Sequence, residues 1–233
     1  MQHQSDQLSG KQMAAEEAVT YIENGMVIGI GTGTTAAYMI HALAQRLRHG
    51  LTIVGAVPTS QATAQLASSL GIPLTDLDAH PQLDLAIDGA DEIDSQLRLI
   101  KGGGGALLRE KIVATASRRF IVIADTSKLV PQLGHTAPVP VETIPFAMTP
   151  VHRQLQALGA QVQLRQRDGH IFHTDNSNII LDCFFPNGIN DPESLHAHIK
   201  AIVGVVETGL FLGMTERAII GSASGIQIFL RPS

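Results

Sequence analysis

Disulfide constraint is missing from this chain. Its one cysteine, Cys183, cannot form an internal bridge, and a reducing compartment is expected. That residue lies in the apolar run "NIILDCFF" and reads as a small buried hydrophobe, not a nucleophile. Charge is scarce as well. Charged residues make up 16% of the chain against 44% hydrophobic, which excludes a disordered polymer and points to a packed core. No run of Lys and Arg occurs and the net charge is −5, so neither nucleic acid nor an acidic membrane surface is an expected partner. No apolar stretch reaches the roughly 18 residues of a membrane span, and "MQHQSDQLSGKQMAAEEAV" lacks a signal-peptide core. A cytoplasmic location is the expectation, or an organelle stroma if a transit peptide was removed.

What is present is an alternation of short apolar runs and longer amphipathic ones. At 233 residues the chain can hold one or two domains. Helices are expected over 12–22, 35–47, 60–71 and 105–116, and strands over 26–30, 51–57, 83–88 and 119–125. After Leu133 the stretch "GHTAPVPVETIPFAMTP" carries four prolines, which argue against regular helix and central strand there. Beyond it a β-α-β-β-α-β pattern is expected, and the tail shows two strand-like runs that return to the first domain. The expected fold is therefore α/β. A Rossmann-like, mostly parallel sheet flanked by helices spans 1–133 and 206–233, and a smaller α+β, ferredoxin-like unit is inserted over 134–205. The apolar, proline-rich segment near 138–151 suggests a homodimer or homotetramer.

Three stretches can carry chemistry. "GIGTGTTAAYMI" places a glycine turn rich in hydroxyls between a strand and a helix, a natural anion site because helix N-terminal amides and the dipole favour negative charge. It is not a dinucleotide fingerprint. Thr34 stands where the third glycine belongs, and "LTIVGAV" lacks the acidic residue that would hold a ribose. Nor does a P-loop Gly-Lys-Ser/Thr occur, so a small phosphate ester fits better. "LAIDGADEID" puts Asp88, Asp91, Glu92 and Asp94 within seven residues at the end of a buried strand. These carboxylates repel one another unless something offsets them, and polyol hydroxyls with a lysine would suit better than a metal, since no His or Cys joins them. "KGGGGALLREK" offers Lys101, a glycine nest of backbone N–H groups and, within the first helical turns, Glu110. A carboxylate shielded from water beside a substrate can act as a general base.

"GIGTGTTA", "DGADEID", "KGGGGALLREKI" and "IADTSK", in that order, resemble the signature blocks of the type A ribose-5-phosphate isomerase family, and the likeness runs from about Lys11 to "VGVVETGLF". The resemblance implies reversible conversion of D-ribose 5-phosphate and D-ribulose 5-phosphate through an enediol, a step of the non-oxidative pentose phosphate pathway, with no metal or organic cofactor. It implies that Thr32, Gly33, Thr34 and Thr35 bind substrate, chiefly its phosphate. Asp88, Gly89, Ala90 and Asp91 would line the sugar, with the two aspartates suited to ring opening. Lys101 and Gly102, Gly103 and Gly104 would surround the reacting end, and Glu110 would be the proton acceptor. Lys128 matches a substrate lysine, and Lys11 is expected at the phosphate. Two departures, Thr34 for a commoner Ser and Gly105 for a frequent Ala, remove no functional group.

Rival readings explain less. A non-catalytic sugar-phosphate sensor accounts for the phosphate turn but gives Glu110 and Lys101 no task. A coenzyme A transferase would use a nucleophilic glutamate, and an amino-sugar-phosphate deaminase sits on a related scaffold. "GSASG" has Ala223 where a serine hydrolase needs its nucleophile. The histidine pairs His170 and His173, and His196 and His198, lack a third ligand and read as hydrogen-bonded or solvated side chains.

Overall fold

The computed structural model describes residues 2–232. In chain order the first elements are α1 (Gln2–Ala18), β1 (Val27–Ile30), α2 (Thr34–Arg48), β2 (Gly55–Pro58), α3 (Gln61–Ser69) and β3 (Leu85–Gly89). There follow β4 (Glu92–Ile93), β5 (Leu99–Ile100), α4 (Leu107–Ala116), β6 (Phe120–Asp125), β7 (Val139–Thr143), α5 (Met148–Ala157) and β8 (Gln161–Leu164). The last are β9 (Gln166–Arg167), β10 (His170–Ile171), β11 (Ile179–Phe184), α6 (Pro192–Lys200), β12 (Val205–Thr208), β13 (Leu210–Phe211), β14 (Arg217–Ser222) and β15 (Gly225–Leu230). They group into two compact units. One comprises the chain up to Ala90, Arg109–Leu129 and the part from Met214 on; the other comprises Asp91–Leu108 and Val130–Gly213.

The first unit is built on a six-stranded sheet in the order β15-β14-β6-β3-β1-β2. All neighbours pair in parallel except the β14–β15 hairpin. Strands covered on both faces must be apolar on both, and every residue of β1 and β6 is buried. Helix α2 buries Ala36, Met39, Ile40, Leu43 and Ala44, the one-sided spacing of an amphipathic helix, against Ile28, Ile30, Leu85 and Ile87. The expected strand over 51–57 begins only at Gly55. Upstream, Thr52 accepts from the Gly25 amide at 2.8 Å and Val54 donates to Met26 at 2.9 Å, so that segment follows the Asn24–Met26 turn instead of the ladder. Helix α1 begins well before the expected residue 12.

The second unit holds a four-stranded antiparallel sheet in the order β12-β7-β11-β8. With α5 after β7 and α6 after β11, this is the ferredoxin-like arrangement of two split β-α-β units. The prolines do not break it, contrary to expectation. β7 is an inner strand although it contains Pro140, whose carbonyl accepts from the Gly209 amide at 2.7 Å just past the β12 pairing, which ends at Val141. Pro150 sits in the first turn of α5, where helical amides have no intrahelical partner to lose. Strands β13, β5 and β4 form a separate small ribbon, and β9–β10 a hairpin turned by Asp168 and Gly169 at φ 53° and 77°. Among the described residues, no helix is long and apolar enough to cross a membrane.

Candidate active site

In the first unit, strand order brings the ends of β1, β3 and β6 side by side, the edge where open parallel sheets bind ligands. Three of the expected stretches are the loops at that edge. Asp88, buried at the end of β3, accepts from the amides of Thr32 (3.0 Å) and Gly89 (2.7 Å). Residue 31 must be glycine for this, because a Cβ there would collide with the Asp88 carboxylate. The Thr32 hydroxyl is enclosed by Thr59 (2.7 Å), Ser60 (2.9 Å) and Thr63 (3.1 Å), and Thr63 donates to the Gly31 carbonyl at 3.0 Å. Both polar groups of Thr32 thus hold the loop. Gly33 and Thr34 are exposed and Thr35 half-buried at the start of α2, which leaves their amides and hydroxyls to face a ligand.

Glu110 reaches the same edge by helix geometry. Val113 of α4 packs on Gly29 of β1 so closely that a Cβ there would strike its Cγ1. Residues three apart share a helix face, and α4, linking parallel β3 and β6, runs back along the sheet. Glu110 therefore lies one turn nearer the carboxyl ends of the strands, with 4% of its surface exposed. At the end of β6, buried Asp125 accepts from the Ser127 amide at 2.8 Å and pairs with Lys11 at 3.8 Å. Lys128 is half-buried in the single turn that follows.

The second unit carries the other expected residues. Asp91 opens the β4–β5 hairpin, its amide donating to Ile100 at 2.8 Å, and its Oδ2 accepts from the Gly103 amide at 2.7 Å. Lys101 follows β5 directly. It is 2% exposed, its amide donates to the Gly209 carbonyl at 2.9 Å, and its ammonium lies 5.4 Å from the centre of the Phe211 ring. Gly102, at φ 103°, is buried, whereas Gly103 and Gly104 are exposed. The carbonyls of Gly102 and Gly103 accept from Arg165.

The acidic stretch is divided by task. Glu92, fully buried, accepts from the amides of Gly134, Thr136 and Ala137, and Asp94 from those of Gln96 and Arg98 and from the Arg98 side chain. Backbone amides and Arg98 offset these charges, so the offset expected from polyol hydroxyls and a lysine does not apply to Glu92 or Asp94. Among the described residues no three His, Cys, Asp or Glu side chains are grouped to hold a metal ion. His196 hydrogen-bonds Thr208 at 2.8 Å and His198 bonds Ser194. Burial, with Asp182 beside it, pushes the Cys183 thiol up to about 12, as befits an inert core residue.

Sequence reading missed the hydroxyl group of Thr59, Ser60 and Thr63, and missed Arg165 and Asp182. Ser60 had a local signal, since it caps α3 by accepting from the Thr63 amide. The other contacts join residues 17 to 63 positions apart and have no local signature.

The sequence model of the family described as Ribose 5-phosphate isomerase A (phosphoriboisomerase A) matches residues 55–225. The chain is 52% identical to the ribose-5-phosphate isomerase A of Bacillus mycoides over 217 residues, 93% of this chain and 97% of that one. Among solved structures it is similar to ribose 5-phosphate isomerase A from Methanocaldococcus jannaschii, with TM-score 0.90 and 42% identity, covering 94% of this chain and 97% of that one. A D-ribose-5-phosphate isomerase solved in complex with phospho-erythronic acid gives TM-score 0.92 and 40% identity, over 95% and 97%.

Proposed function

The chain belongs to the ribose 5-phosphate isomerase A family, and on that premise we propose that it interconverts D-ribose 5-phosphate and D-ribulose 5-phosphate through an enediol. The observation that carries the assignment is Glu110. A carboxylate 4% exposed, one helical turn beyond a helix–sheet contact at the carboxyl edge of a parallel sheet, stands where water is held off and ligand is expected. Glu110 takes the C2 proton of the open aldose, and the electron pair moves onto the C1 oxygen as an enediolate forms. The same carboxyl returns the proton to C1, while O2 loses its proton and O1 gains one, leaving the ketose.

Lys101 and the amides of Gly102 to Gly104 are assigned the negative oxygen. A preorganised donor of that kind is worth roughly 3–4 kcal/mol of barrier. Asp88 and Asp91 are assigned ring opening and the sugar hydroxyls, with Gly89 and Ala90 as the backbone between them. The phosphate falls to Gly33, Thr34 and Thr35, with Lys11 and Lys128 supplying positive charge and Thr32 holding the loop in shape. Phosphate binding far from C1 and C2 serves orientation. A sensor would need the phosphate loop alone; the buried Glu110 and Lys101 favour the enzyme.

A homodimer or homotetramer in the cytoplasm completes the reading. The oligomer is supported by Ile144 and Phe146, which are exposed within the proline-rich segment. The direct test is to incubate the purified protein with ribose 5-phosphate and follow ketose formation. Ketose at a rate proportional to protein supports the proposal, and its absence with correctly folded protein rejects it.

A further inference from the structure

The carbonyls of the glycine loop are gripped by a side chain outside every motif of the sequence. We infer that Arg165, itself fixed by Asp182, is a positioning residue for the isomerisation. It locks the peptides joining Gly102 to Gly103 and Gly103 to Gly104, so that the first N–H stays on the Asp91 carboxylate assigned to the sugar and the second stays turned towards the reacting end. The inference rests on the reaction assigned to that loop above.

Arg165 directly follows β8 and is held at its backbone, its amide donating to Ile180 at 2.9 Å and its carbonyl accepting from Phe172 at 3.0 Å. The side chain is 12% exposed and that of Asp182, on β11, 13%. Its Nε donates to Asp182 Oδ2 at 2.8 Å and its Nη2 to Oδ1, so the carboxylate closes one edge of the fork. The remaining nitrogen, Nη1, donates to the carbonyls of Gly102 at 2.7 Å and Gly103 at 3.2 Å. The planar guanidinium closes both carboxylate oxygens along one edge and still donates to two carbonyls; a lysine would present its three donors from a single point of charge.

Peptide geometry turns this grip into an effect on the amides. In a trans peptide the C=O and the N–H point in opposite directions, and no peptide bond in the described chain is cis. Holding the Gly102 oxygen therefore aims the Gly103 N–H, which donates to Asp91 at 2.7 Å. Holding the Gly103 oxygen aims the Gly104 N–H in the same way. The Gly102 oxygen also accepts from the Gly105 amide at 3.0 Å, and Arg165 ties that oxygen to the Gly103 oxygen. The tie matters because a peptide between glycines meets no Cβ when it rotates, and Gly102 already sits at φ 103°. A cation on a carbonyl oxygen also polarises the peptide and strengthens its N–H as a donor.

The segment that follows the β9–β10 hairpin backs the same loop. Phe172 lies against Gly105 so closely that a Cβ there would strike the ring, and the Arg167 guanidinium stacks on Phe172 at 4.5 Å.

The test combines steady-state kinetics on ribose 5-phosphate with amide hydrogen exchange in uniformly 15N-labelled protein. Arg165→Ala should lower kcat about 10- to 100-fold while KM changes less than about threefold, the pattern of lost alignment in the transition state. Exchange at Gly103 and Gly104 should rise more than about tenfold, with β7 and β11 amides unchanged. Arg165→Lys should recover part of kcat, and Asp182→Asn should fall between the wild type and the alanine variant. Wild-type kcat with unchanged glycine exchange in Arg165→Ala would overturn the inference. So would a loss of rate accompanied by faster exchange throughout β7 and β11, which would mean that the pair only holds the sheet. If the unsubstituted protein made no ketose, the functional reading would fall, and the exchange measurement would still decide whether Arg165 locks the loop.

Discussion

The loop after β1 and the loop after β5 both offer bare amides, but they are held in place by opposite means. Around Thr32 the side chain is held by neutral groups, the hydroxyls of Thr59, Ser60 and Thr63 packed about a fourth, and a single carboxylate, Asp88, takes the Thr32 amide. Around Gly103 it is ionic, with Asp91, the Arg165–Asp182 pair and the buried Lys101. The contrast follows the charge each loop is assigned to meet. A phosphate arrives already charged, and the cations assigned to it, Lys11 and Lys128, bind it alike in every state of the reaction. An enediolate oxygen becomes charged during the reaction, so a fixed cation assigned to it, Lys101, favours the transition state over the substrate. Neutral networks also tolerate the loss of one member, whereas removing one partner of a buried ionic set leaves a charge uncompensated, at roughly 3–5 kcal/mol.

Glu110, proposed as the proton carrier, belongs to neither loop and sets the scale against which both are measured. Glu110→Gln keeps size and hydrogen-bonding shape and removes the base. Turnover should fall by at least about 10³-fold, near the upper end for general-base catalysis, with KM within about threefold of wild type. Rapid quench or coupled ketose detection reads this directly, and turnover within tenfold of wild type would strip Glu110 of the role.

Next in size is the ionic loop. Lys101→Met retains most of the buried side-chain volume and its contact with Phe211 while deleting the charge. A kcat loss of about 10²- to 10³-fold is expected, as for removal of one donor to an oxyanion. If the same substitution raised KM and spared kcat, Lys101 would be a ground-state binder, and the contrast between the loops would collapse.

Gly31→Ala probes the hydroxyl-held loop by steric means. The new methyl group collides with the Asp88 carboxylate, and overpacking of this kind costs about 1–3 kcal/mol of stability. The Asp88 contact with Thr32 should shift with it, so thermal denaturation and KM should change together. A variant with wild-type melting and wild-type KM would show that the close approach of Asp88 is not required.

These effects differ in how far the sequence announced them. The parallel sheet was legible because β1, β3 and β6 are buried on both faces, and such strands spell out continuous apolar runs. Glycine spacing and the position of Glu110 were legible because close approach and helix phase are local properties. β7 was not, since Pro140 reads as a strand breaker until its carbonyl is seen bonded to Gly209. Arg165 was silent too. Its partners lie at Asp182, Gly102 and Gly103, and only tertiary folding brings them to it.

The smallest expected effect sharpens the comparison most. Thr63→Val preserves shape and removes one hydroxyl, which donates to Gly31 and meets Thr32 and Ser60. Three neighbouring hydroxyls remain, and Thr32 keeps Thr59 at 2.7 Å and Ser60 at 2.9 Å. The Gly31 carbonyl loses this donor, so stability should drop by about 1 kcal/mol, the net worth of one neutral hydrogen bond. KM should rise less than about fivefold with kcat unchanged, because uniform binding of a remote group affects ground and transition states alike. Raising ionic strength should leave the size of that KM ratio unaltered, since no charge is deleted. A kcat loss as large as that of Lys101→Met would mean that the hydroxyl network aligns the reacting carbons, and that the two loops do not divide the work by charge.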